Sequence, residues 1–203
     1  MKKIKEFNNL RKFNTYLEEN KSRVLGYGVE GIAYLSKSNE TIKDMQDIEE
    51  PIFYTDNPDN IMSDDLDLSS FIFPKELFLI GNQIVGYRSD YFAGNIIKKR
   101  NGKIEDIDID ALLEARERFI EDLRILTKEG YQLYDVAGNL LFDNKTLVAI
   151  DTLDYKRRRT NLDKNIQALD NGLARELKLH DPSTHIGVFD NFQVAIQKIK
   201  SKK

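Results

Sequence analysis

The chain has 203 residues, of which 40% are hydrophobic and 32% are charged, and its formal net charge is −3. This length and composition are typical of a globular protein that buries its core in one domain or in one two-lobed unit. The charge balance gives no polyanion signal, so the sequence predicts no nucleic-acid partner. Cysteine is absent, which excludes disulfides and thiolate chemistry, and the two histidines, His180 and His185, argue against a histidine-based catalytic or metal site.

The sequence contains no segment that predicts secretion or membrane insertion. The basic start, "MKKIKEFNNLRKF", is not followed by the apolar stretch of a secretory signal. No apolar run is long enough to span a bilayer. We therefore expect a cytoplasmic protein without a membrane partner.

The first half of the chain predicts one helix followed by strands. Apolar side chains repeat with helical spacing over residues 4–18, at Ile4, Phe7, Leu10, Phe13 and Leu17. From Val24 onward, the short segments "VLGYG", "GIAYLSK" and "ETIKDM" are typical of strands separated by turns. The segment "LFLIGNQIVGYR" predicts a hairpin, in which Gly81 and Asn82 suit a two-residue type II′ turn.

An acidic segment interrupts these strands. Residues 44–67 contain nine Asp or Glu and no Lys, Arg or His. They lack the glycine and the spacing of an EF-hand loop, so they do not predict a calcium site. We expect an irregular loop that is available to a protein partner.

The second half predicts helices and one small hairpin. A polar stretch, "KKRNGKIEDID", precedes a long helix that Asp108 or Asp110 can cap and that Gly130 can end. "NLLFDNKTLVAID" predicts a hairpin, and two more helices are expected along 162–177 and 192–199. The elements indicate an α+β fold with two unequal lobes, because strand and helix do not alternate as a doubly wound sheet requires.

Three glycines in the first half, Gly26, Gly28 and Gly31, form a G-x-G-x-x-G pattern. A dinucleotide-binding fold requires such glycines to open a helix, whereas a strand follows here. The lysine of a Walker loop is missing, because Ile32 follows Gly31. Two interpretations stay open: a loop that covers nucleotide phosphates, with Lys43 on the next strand as their partner, or a glycine-rich hairpin without a ligand. Lys43 alone decides little, since strand lysines commonly face solvent.

Three polar residues follow the long helix and flank the second hairpin: Asp135, Asn139 and Asp151. In phosphoryl transfer, one aspartate orients or deprotonates the acceptor hydroxyl, while asparagine and aspartate oxygens hold Mg²⁺. The order of these residues, and of the elements between them, is the one that this chemistry requires. The alternative is that Asp135 and Asn139 are turn residues and that Asp151 only ends a strand.

Over residues 23–155 the chain resembles the protein-kinase-like superfamily, in particular its small and divergent bacterial members. "LGYGVEGIAYL" resembles the Gly-rich loop, and "ETIKD" resembles the strand that carries the phosphate-binding lysine. "FIFPKELFLIGNQIVGYRSDYFAGN" resembles the two strands that lead into the hinge. "YDVAGNLLFD" resembles the catalytic loop, and "LVAIDTLDY" resembles the magnesium-binding segment.

This resemblance implies a single kinase-like domain with an N-terminal helix over 1–22, a strand-rich N-lobe over 23–94 and a reduced helical C-lobe over 95–203. It implies that ATP and Mg²⁺ bind between the lobes and that a phosphoryl group passes to a hydroxyl acceptor. It also implies a role for each candidate residue: Gly26, Gly28, Gly31 and Lys43 hold the phosphates, the backbone from Tyr87 through Asp90 to Tyr91 meets the adenine, Asp135 is the base, and Asn139 and Asp151 bind Mg²⁺.

Two departures from the family pattern favour an alternative, a catalytically inactive pseudokinase that senses nucleotide or binds a protein. Three residues instead of four separate Asp135 from Asn139, and Leu133 stands where the catalytic-loop histidine is usual. A third alternative is a structural interaction protein whose glycines only make a tight hairpin. The basic run "KRRR" at 156–159 predicts either a clamp for an anionic substrate or a solvated charged loop.

Overall fold

The computed structural model describes residues 3–28, 31–45, 66–96, 107–155, 157–180, 192, 196–197 and 200–201. The described residues form a mixed α+β fold, as the sequence predicts, with these strands and helices: β1 (Lys3–Phe7), α1 (Leu10–Asn20), β2 (Lys21–Gly28), β3 (Gly31–Ser36), β4 (Glu40–Asp44), β5 (Pro74–Ile80), β6 (Gln83–Asp90), β7 (Asn95–Ile96), α2 (Ile109–Lys128), β8 (Leu140–Phe142), β9 (Leu147–Ala149) and α3 (Leu162–His180). The chain divides into two compact units. The N-terminal unit comprises 1–65 and 72–92, and the C-terminal unit comprises 66–71 and 93–203.

One sheet organises the N-terminal unit. Among the described residues it has six strands in the order β1-β5-β6-β4-β3-β2. The β1–β5 pair is parallel, and the other neighbours are antiparallel. Helix α1 covers one face, where Phe13 and Leu17 pack in a buried cluster with Tyr34, Ile42 and Phe78. The alternating apolar side chains of the strands therefore supply the core of this unit.

The predicted opening helix over residues 4–18 is wrong in its first part. Residues Lys3–Phe7 form β1, which lies parallel to β5, and α1 begins only at Leu10. Asn9 is in an extended conformation and its side-chain oxygen accepts a hydrogen bond from the Lys12 amide at 3.1 Å, so it caps the helix at this point. Phe7 satisfies the helical spacing by coincidence. In the fold its ring instead meets those of Phe13 and Tyr16, both at centroid distances of 5.3 Å.

The strands and the hairpin that the sequence predicts between turn residues in this unit are confirmed. The three glycine-rich and polar segments after residue 20 form β2, β3 and β4, and the clearest predicted hairpin is β5–β6. Gly81 at its turn has a φ of +60°, whereas Asn82 has no positive φ. A positive φ at the first turn position alone is what a type II′ turn requires.

The C-terminal unit combines a small sheet with two long helices. Strands β7, β8 and β9 are antiparallel neighbours, and the predicted hairpin at 140–149 is confirmed. Helices α2 and α3 pack together, and Arg116 on α2 makes a bidentate ion pair with Asp170 on α3 at 2.7 and 2.9 Å. No helix of the described residues is both long enough and apolar enough to cross a membrane.

The ends of α2 follow the sequence prediction in detail. Asp108 caps the start, because its carboxylate accepts hydrogen bonds from the amides of Asp110 and Ala111. At the other end Gly130 has a φ of +81° and donates to the Thr127 carbonyl, while the next amide donates to the Leu126 carbonyl. These two bonds are a Schellman motif, which glycine favours because it adopts a positive φ without strain.

The short segment 66–71 belongs to the C-terminal unit although strands of the other unit flank it in sequence. Phe71 forms a parallel bridge with Ala149, whose amide donates to the Ser70 carbonyl at 2.8 Å. The Asp122 carboxylate on α2 accepts from the Ser70 amide at 2.7 Å and from the Ser69 hydroxyl at 3.1 Å. Backbone pairing and a carboxylate thus tie this segment to β9 and α2.

Several predictions lie largely outside the described residues. They include positions 46–65 of the acidic segment, Lys156 of the basic run, His185, and most of the last predicted helix, of which Phe192 and Ile196 are described and buried.

Candidate functional site

The glycine pattern lies on the hairpin formed by β2 and β3. Gly28 pairs with Gly31, and Gly26 pairs with Ala33, across from each other on the two strands. Strand β2 ends the sheet, and its side chains face solvent, with Tyr27 77% exposed. The glycines therefore belong to an antiparallel hairpin, which agrees with the strand-glycine-strand context seen in the sequence.

Two of the glycines differ in what the fold demands of them. Gly31 has a φ of +129°, and a Cβ atom there would lie 1.9 Å from the carbonyl oxygen of Asp44 on β4. Only glycine fits such a close backbone approach, so Gly31 has a structural role whether or not a ligand binds. Gly26 has no heavy atom within 4 Å of an added Cβ and no positive φ. Neither a close neighbour nor a positive φ therefore requires glycine at 26, although the β2–β3 register shifts between Val24 and Gly26.

Lys43 is buried on β4, with 8% of its surface exposed. The alternative of a solvent-facing strand lysine is therefore wrong. Strand β4 lies between β3 and β6, and Lys43 is paired with Ala33 on one side and Tyr87 on the other. Because directly paired residues project from the same face, Lys43, Ala33 and Tyr87 lie in one row. That row is one residue out of phase with Ile42 and Tyr34, which pack beneath α1.

The two residues assigned to adenine binding occupy different environments on β6. Tyr87 is buried, and its backbone lies inside the sheet, paired with Lys43 on β4 and Leu77 on β5. Asp90 is exposed, ends the strand, and forms an ion pair with Lys75 at 2.5 Å. The backbone that follows β6, at 91–94, is not part of a strand.

Asp135, Asn139 and Asp151 come together in the C-terminal unit. The Asn139 side-chain amide donates to the Asp135 carbonyl at 2.9 Å, and the Asn139 carbonyl accepts from the Ile150 amide at 2.9 Å. Asp151 follows directly. Both aspartates have positive φ, 42° at Asp135 and 59° at Asp151, a conformation that non-glycine residues rarely adopt. Aspartate and asparagine adopt it more readily than other residues, and Asn39, Asp67 and Asn144 have it as well.

A buried tyrosine hydroxyl lies beside these carboxylates. Tyr155 is 1% exposed, and no described group forms a hydrogen bond with its hydroxyl oxygen. Burial raises the pKa of Tyr155 above its ordinary value, and the negative charges of Asp151 and Asp135 raise it further. Buried polar atoms without a partner are rare in native proteins, and ligand-binding sites are one place where they occur. Nothing in the sequence pattern pointed to this residue.

Polar side chains on α3 form hydrogen bonds with the backbone of the loop at 131–139. Asn165, which is fully buried, accepts from the Leu133 amide at 3.0 Å and donates to the Tyr131 carbonyl at 3.1 Å. Its side-chain amide also donates to the Thr127 hydroxyl at 2.8 Å. The loop is therefore fixed at its start by a side chain that satisfies two of its backbone groups.

The other end of this loop is fixed by Glu176 and Gly172, also on α3. Glu176 is 1% exposed and accepts a hydrogen bond from the Gly138 amide. A Cβ atom at Gly172 would lie 2.7 Å from a methyl group of Val136, so the glycine allows the loop to approach the helix closely. Sequence reasoning missed these anchors. Their signal is polar and glycine residues at helical spacing on the apolar face that carries Leu169.

The donor set near Asp135 suits a hard cation. Asp135, Asn139 and Asp151 offer carboxylate and amide oxygens, which are the ligands that Mg²⁺ prefers. The Asn139 amide nitrogen is engaged with the Asp135 carbonyl, which leaves its side-chain oxygen as the group available to a cation. Within the described ranges no three or more His, Cys, Asp or Glu side chains gather as they would around a metal ion. A cation here would therefore depend on substrate oxygens to complete its coordination, as Mg²⁺ does in phosphoryl transfer.

Comparison with known proteins adds little. No protein-family model matches the chain. An alignment of 88 residues at 32% identity relates it to the uncharacterized protein SH1500 of Staphylococcus haemolyticus, and covers 41% of this chain and 32% of that relative. The chain thus spans about a third of the length of the relative that it matches.

Proposed function

We propose that this protein is an ATP- and Mg²⁺-dependent phosphotransferase of the protein-kinase-like superfamily, with a strand-rich N-lobe and a reduced helical C-lobe, that acts on a hydroxyl acceptor. One observation carries the proposal: Asn139 on the anchored loop hydrogen-bonds to the Asp135 carbonyl and to the Ile150 amide next to Asp151, and both aspartates act on the buried Tyr155, whose hydroxyl has no described hydrogen-bond partner. Preorganised oxygen groups of this kind are what phosphoryl transfer demands of a protein, because catalysis there is mainly positioning and electrostatic stabilisation.

The sheet of the N-terminal unit supports the nucleotide half of the proposal. The glycine hairpin β2–β3, the lysine strand β4 and the strand β6 are neighbours in that order. In the kinase arrangement a Gly-rich hairpin covers the phosphates, and a lysine on the adjacent strand pairs with them. Lys43 lies on the sheet face opposite α1, so it does not contribute to the aromatic cluster around Phe13. The adenine would be met by backbone beyond Asp90, since the backbone of Tyr87 is paired within the sheet.

Each proposed role follows from the charge and the proton-binding capacity of the side chain. Asp135 would accept the proton of the acceptor hydroxyl as the oxygen forms its bond to the terminal phosphorus and the bond to ADP breaks. Lys43 would pair with the phosphates, and the glycine hairpin would donate backbone N–H groups to them. Asn139 and Asp151 would hold Mg²⁺, which neutralises phosphate charge when bound. Tyr155 would donate its hydroxyl proton to an oxygen ligand at the same site, since its raised pKa keeps it protonated.

A second candidate, an inactive pseudokinase that only binds nucleotide, is favoured by one specific observation. Leu133 stands at the position of the usual catalytic-loop histidine, is buried, and uses its amide to bind Asn165. A leucine at this position supplies no hydrogen bond from its side chain. The loop geometry would then serve binding without turnover.

Nucleotide binding is tested by thermal unfolding with ATP, with and without Mg²⁺. A ligand that binds the native state raises the melting temperature, by the equivalent of about 2.7 kcal/mol at a hundredfold excess over Kd. We expect a Mg²⁺-dependent rise in the wild type, its loss in Lys43→Ala, and its retention in Lys12→Ala, which removes an exposed lysine on α1. An unchanged melting temperature of the wild type at millimolar ATP would remove both nucleotide-binding functions.

Turnover is tested by release or transfer of radiolabelled phosphate from ATP. We expect activity in the wild type and in Asp163→Asn, a matched change of an exposed aspartate on α3, and loss of activity in Asp151→Asn. Equal background in all three proteins, together with a retained ATP shift, would leave the pseudokinase as the function.

A further inference from the structure

The described part of the basic run, which begins at Arg157, lies against the loop that carries Asp135. Arg157 forms an antiparallel bridge with Tyr131, and the Arg158 amide donates to the Gly130 carbonyl at 3.0 Å. These backbone contacts place 157–158 beside the start of the loop at 131–139. The arginine side chains are exposed, as in the solvated charged loop that the sequence left open, while the backbone of Arg157 and Arg158 is paired.

Two guanidinium groups of this segment lie over aromatic rings of the same loop. The Arg157 guanidinium carbon is 5.3 Å from the centroid of the Tyr131 ring, and that of Arg158 is 5.8 Å from the centroid of Tyr134. Arginine stacks on aromatic faces and keeps its N–H donors available at the edge of the plane. The rings thus restrict side chains that would otherwise be highly mobile, which lowers the entropic cost of binding a ligand.

The positive charge of this segment has no counter-charge among the described residues. Arg157, Arg158 and Arg159 are exposed, and no described carboxylate forms an ion pair with them. Elsewhere in the C-terminal unit, by contrast, Arg116 is matched by Asp170 and Arg124 by Glu121. Guanidinium groups without a carboxylate partner are suited to bidentate contacts with phosphate or carboxylate oxygens.

We propose that Arg157 and Arg158 bind a small anion that bears a phosphate or carboxylate group, and that the phosphoryl acceptor is therefore an anionic small molecule. Tyr134, which lies under Arg158, directly precedes Asp135, the proposed base. An anionic group held by the arginines would bring the acceptor to the loop that activates its hydroxyl. The net charge of −3 favours a small anion over a long polyanion, because the rest of the chain would repel extended negative charge. The assignment of the anion as acceptor rests on the proposed function, whereas the anion site itself does not.

The test is calorimetric titration of the full chain with pyrophosphate and, separately, with citrate, at low salt. The variant Arg157→Gln/Arg158→Gln removes both guanidinium groups and keeps polar side chains. Its matched control, Arg11→Gln/Arg124→Gln, removes the same charge from exposed positions on α1 and α2.

We expect the first variant to weaken binding of pyrophosphate or citrate at least about tenfold, which corresponds to about 1.4 kcal/mol. The control is expected to stay within about twofold of the wild type, and the affinity of the wild type should fall with added salt. Equal loss in the control would reduce the effect to overall charge and overturn the proposal, as would no binding by the wild type. Preference for a single-stranded oligonucleotide over both small anions would also overturn it.

The ATP-dependent thermal shift of the same proteins separates the two proposals. Arginine-dependent binding of pyrophosphate in a protein that shows no shift with ATP would sustain the anion site and remove the phosphotransferase. A normal ATP shift, combined with pyrophosphate binding that is unchanged in Arg157→Gln/Arg158→Gln, would sustain the nucleotide-binding function and remove the anion site.

Discussion

The glycine hairpin and the loop at 131–139 carry the two most recognisable motifs of the chain, but the fold holds them differently. The hairpin strand β2 forms the edge of its sheet, and its apolar side chains at Val24, Leu25 and Tyr27 are exposed. The loop is anchored at both ends by the buried polar side chains of Asn165 and Glu176. One motif has few tertiary anchors, and the other is fixed by hydrogen bonds from a core helix.

This difference matches the tasks proposed for the two motifs. A segment that covers a nucleotide must admit and release it, and elements that move are drawn from the less stable parts of a structure. Groups that handle a proton and a cation must keep their positions, which requires support from surrounding side chains. The contrast therefore predicts that substitutions in the loop anchors affect stability, as does substitution of Gly31 where β3 lies against β4, whereas substitutions on the exposed strand β2 affect ligand binding. Four substitutions test that contrast.

The largest expected effect on stability is at Gly31, where β3 approaches the backbone of β4 closely. Gly31→Ala forces a Cβ atom against the Asp44 carbonyl in a conformation that alanine rarely adopts, and should cost about 3 kcal/mol of the free energy of unfolding. Chemical denaturation at neutral pH measures it. A loss below about 1 kcal/mol would mean that β3 and β4 can separate without cost, and that the edge of the sheet is looser than the fold indicates.

Asn165→Ala should lower the free energy of unfolding by about 2 kcal/mol, because it leaves buried backbone groups at Leu133 and Tyr131 without their partner. The matched change Gln167→Ala, on the exposed face of α3, should stay within about 0.5 kcal/mol of the wild type. Urea denaturation of both variants measures the two free energies of unfolding. Equal stabilities would show that the loop does not depend on this anchor.

Tyr155→Phe removes a buried hydroxyl that has no described hydrogen-bond partner, so it should leave the ligand-free protein as stable as the wild type or about 1 kcal/mol more stable. The same variant should reduce the Mg²⁺-dependent shift with ATP. A large loss of stability without any ligand would show that the hydroxyl is satisfied in the native protein, and would remove it from the proposed site.

The raised pKa of Tyr155 adds a pH dependence to this test. The folded protein retains the phenol proton, owing to burial and to Asp151 and Asp135, while the unfolded chain loses it above the ordinary pKa of 10.0. The stabilisation is therefore complete below pH 10 and declines as the pH rises further, by about 1.4 kcal/mol per pH unit. Melting curves between pH 8 and 11 should fall more steeply for the wild type than for Tyr155→Phe. Parallel curves would show that the phenol ionises in place.

The smallest expected effect on stability is that of Gly26→Ala. Nothing lies within 4 Å of the added methyl group and the backbone has no positive φ, so the free energy of unfolding should change by about 0.5 kcal/mol at most. If the hairpin covers phosphates, the added side chain should still weaken the thermal shift with ATP. An unchanged shift would favour the interpretation of a hairpin without a ligand.

The sequence was sufficient where local signals decide the structure. Asp108 and Gly130 bound α2 as their types predict, and Gly81 sets the turn of β5–β6. It also singled out Asp135, Asn139 and Asp151, and Asn139 hydrogen-bonds to the Asp135 carbonyl and to the amide of the residue before Asp151. These features depend on a few neighbouring residues, so a single sequence contains them.

The sequence was insufficient where the structure of a residue depends on segments that are distant along the chain. Strand β1 pairs with β5, about seventy residues later, and Phe7 fits a helical spacing as well as a strand. The anchoring role of Asn165 depends on which backbone groups the fold brings to α3. The burial of Tyr155 depends in the same way on its ring contact with Phe71.

The path of the chain through the two units has a consequence for any attempt to divide the protein. After 66–71 contributes to the C-terminal unit, the chain returns to the N-terminal unit for 72–92 before it continues. A cut after residue 92 would therefore deprive the C-terminal fragment of the Phe71 backbone that pairs with Ala149 and of the serines bound by Asp122. Neither unit is formed by one continuous stretch of the chain. Recombination that exchanged one unit between related genes would need to transfer two separate stretches of coding sequence at once.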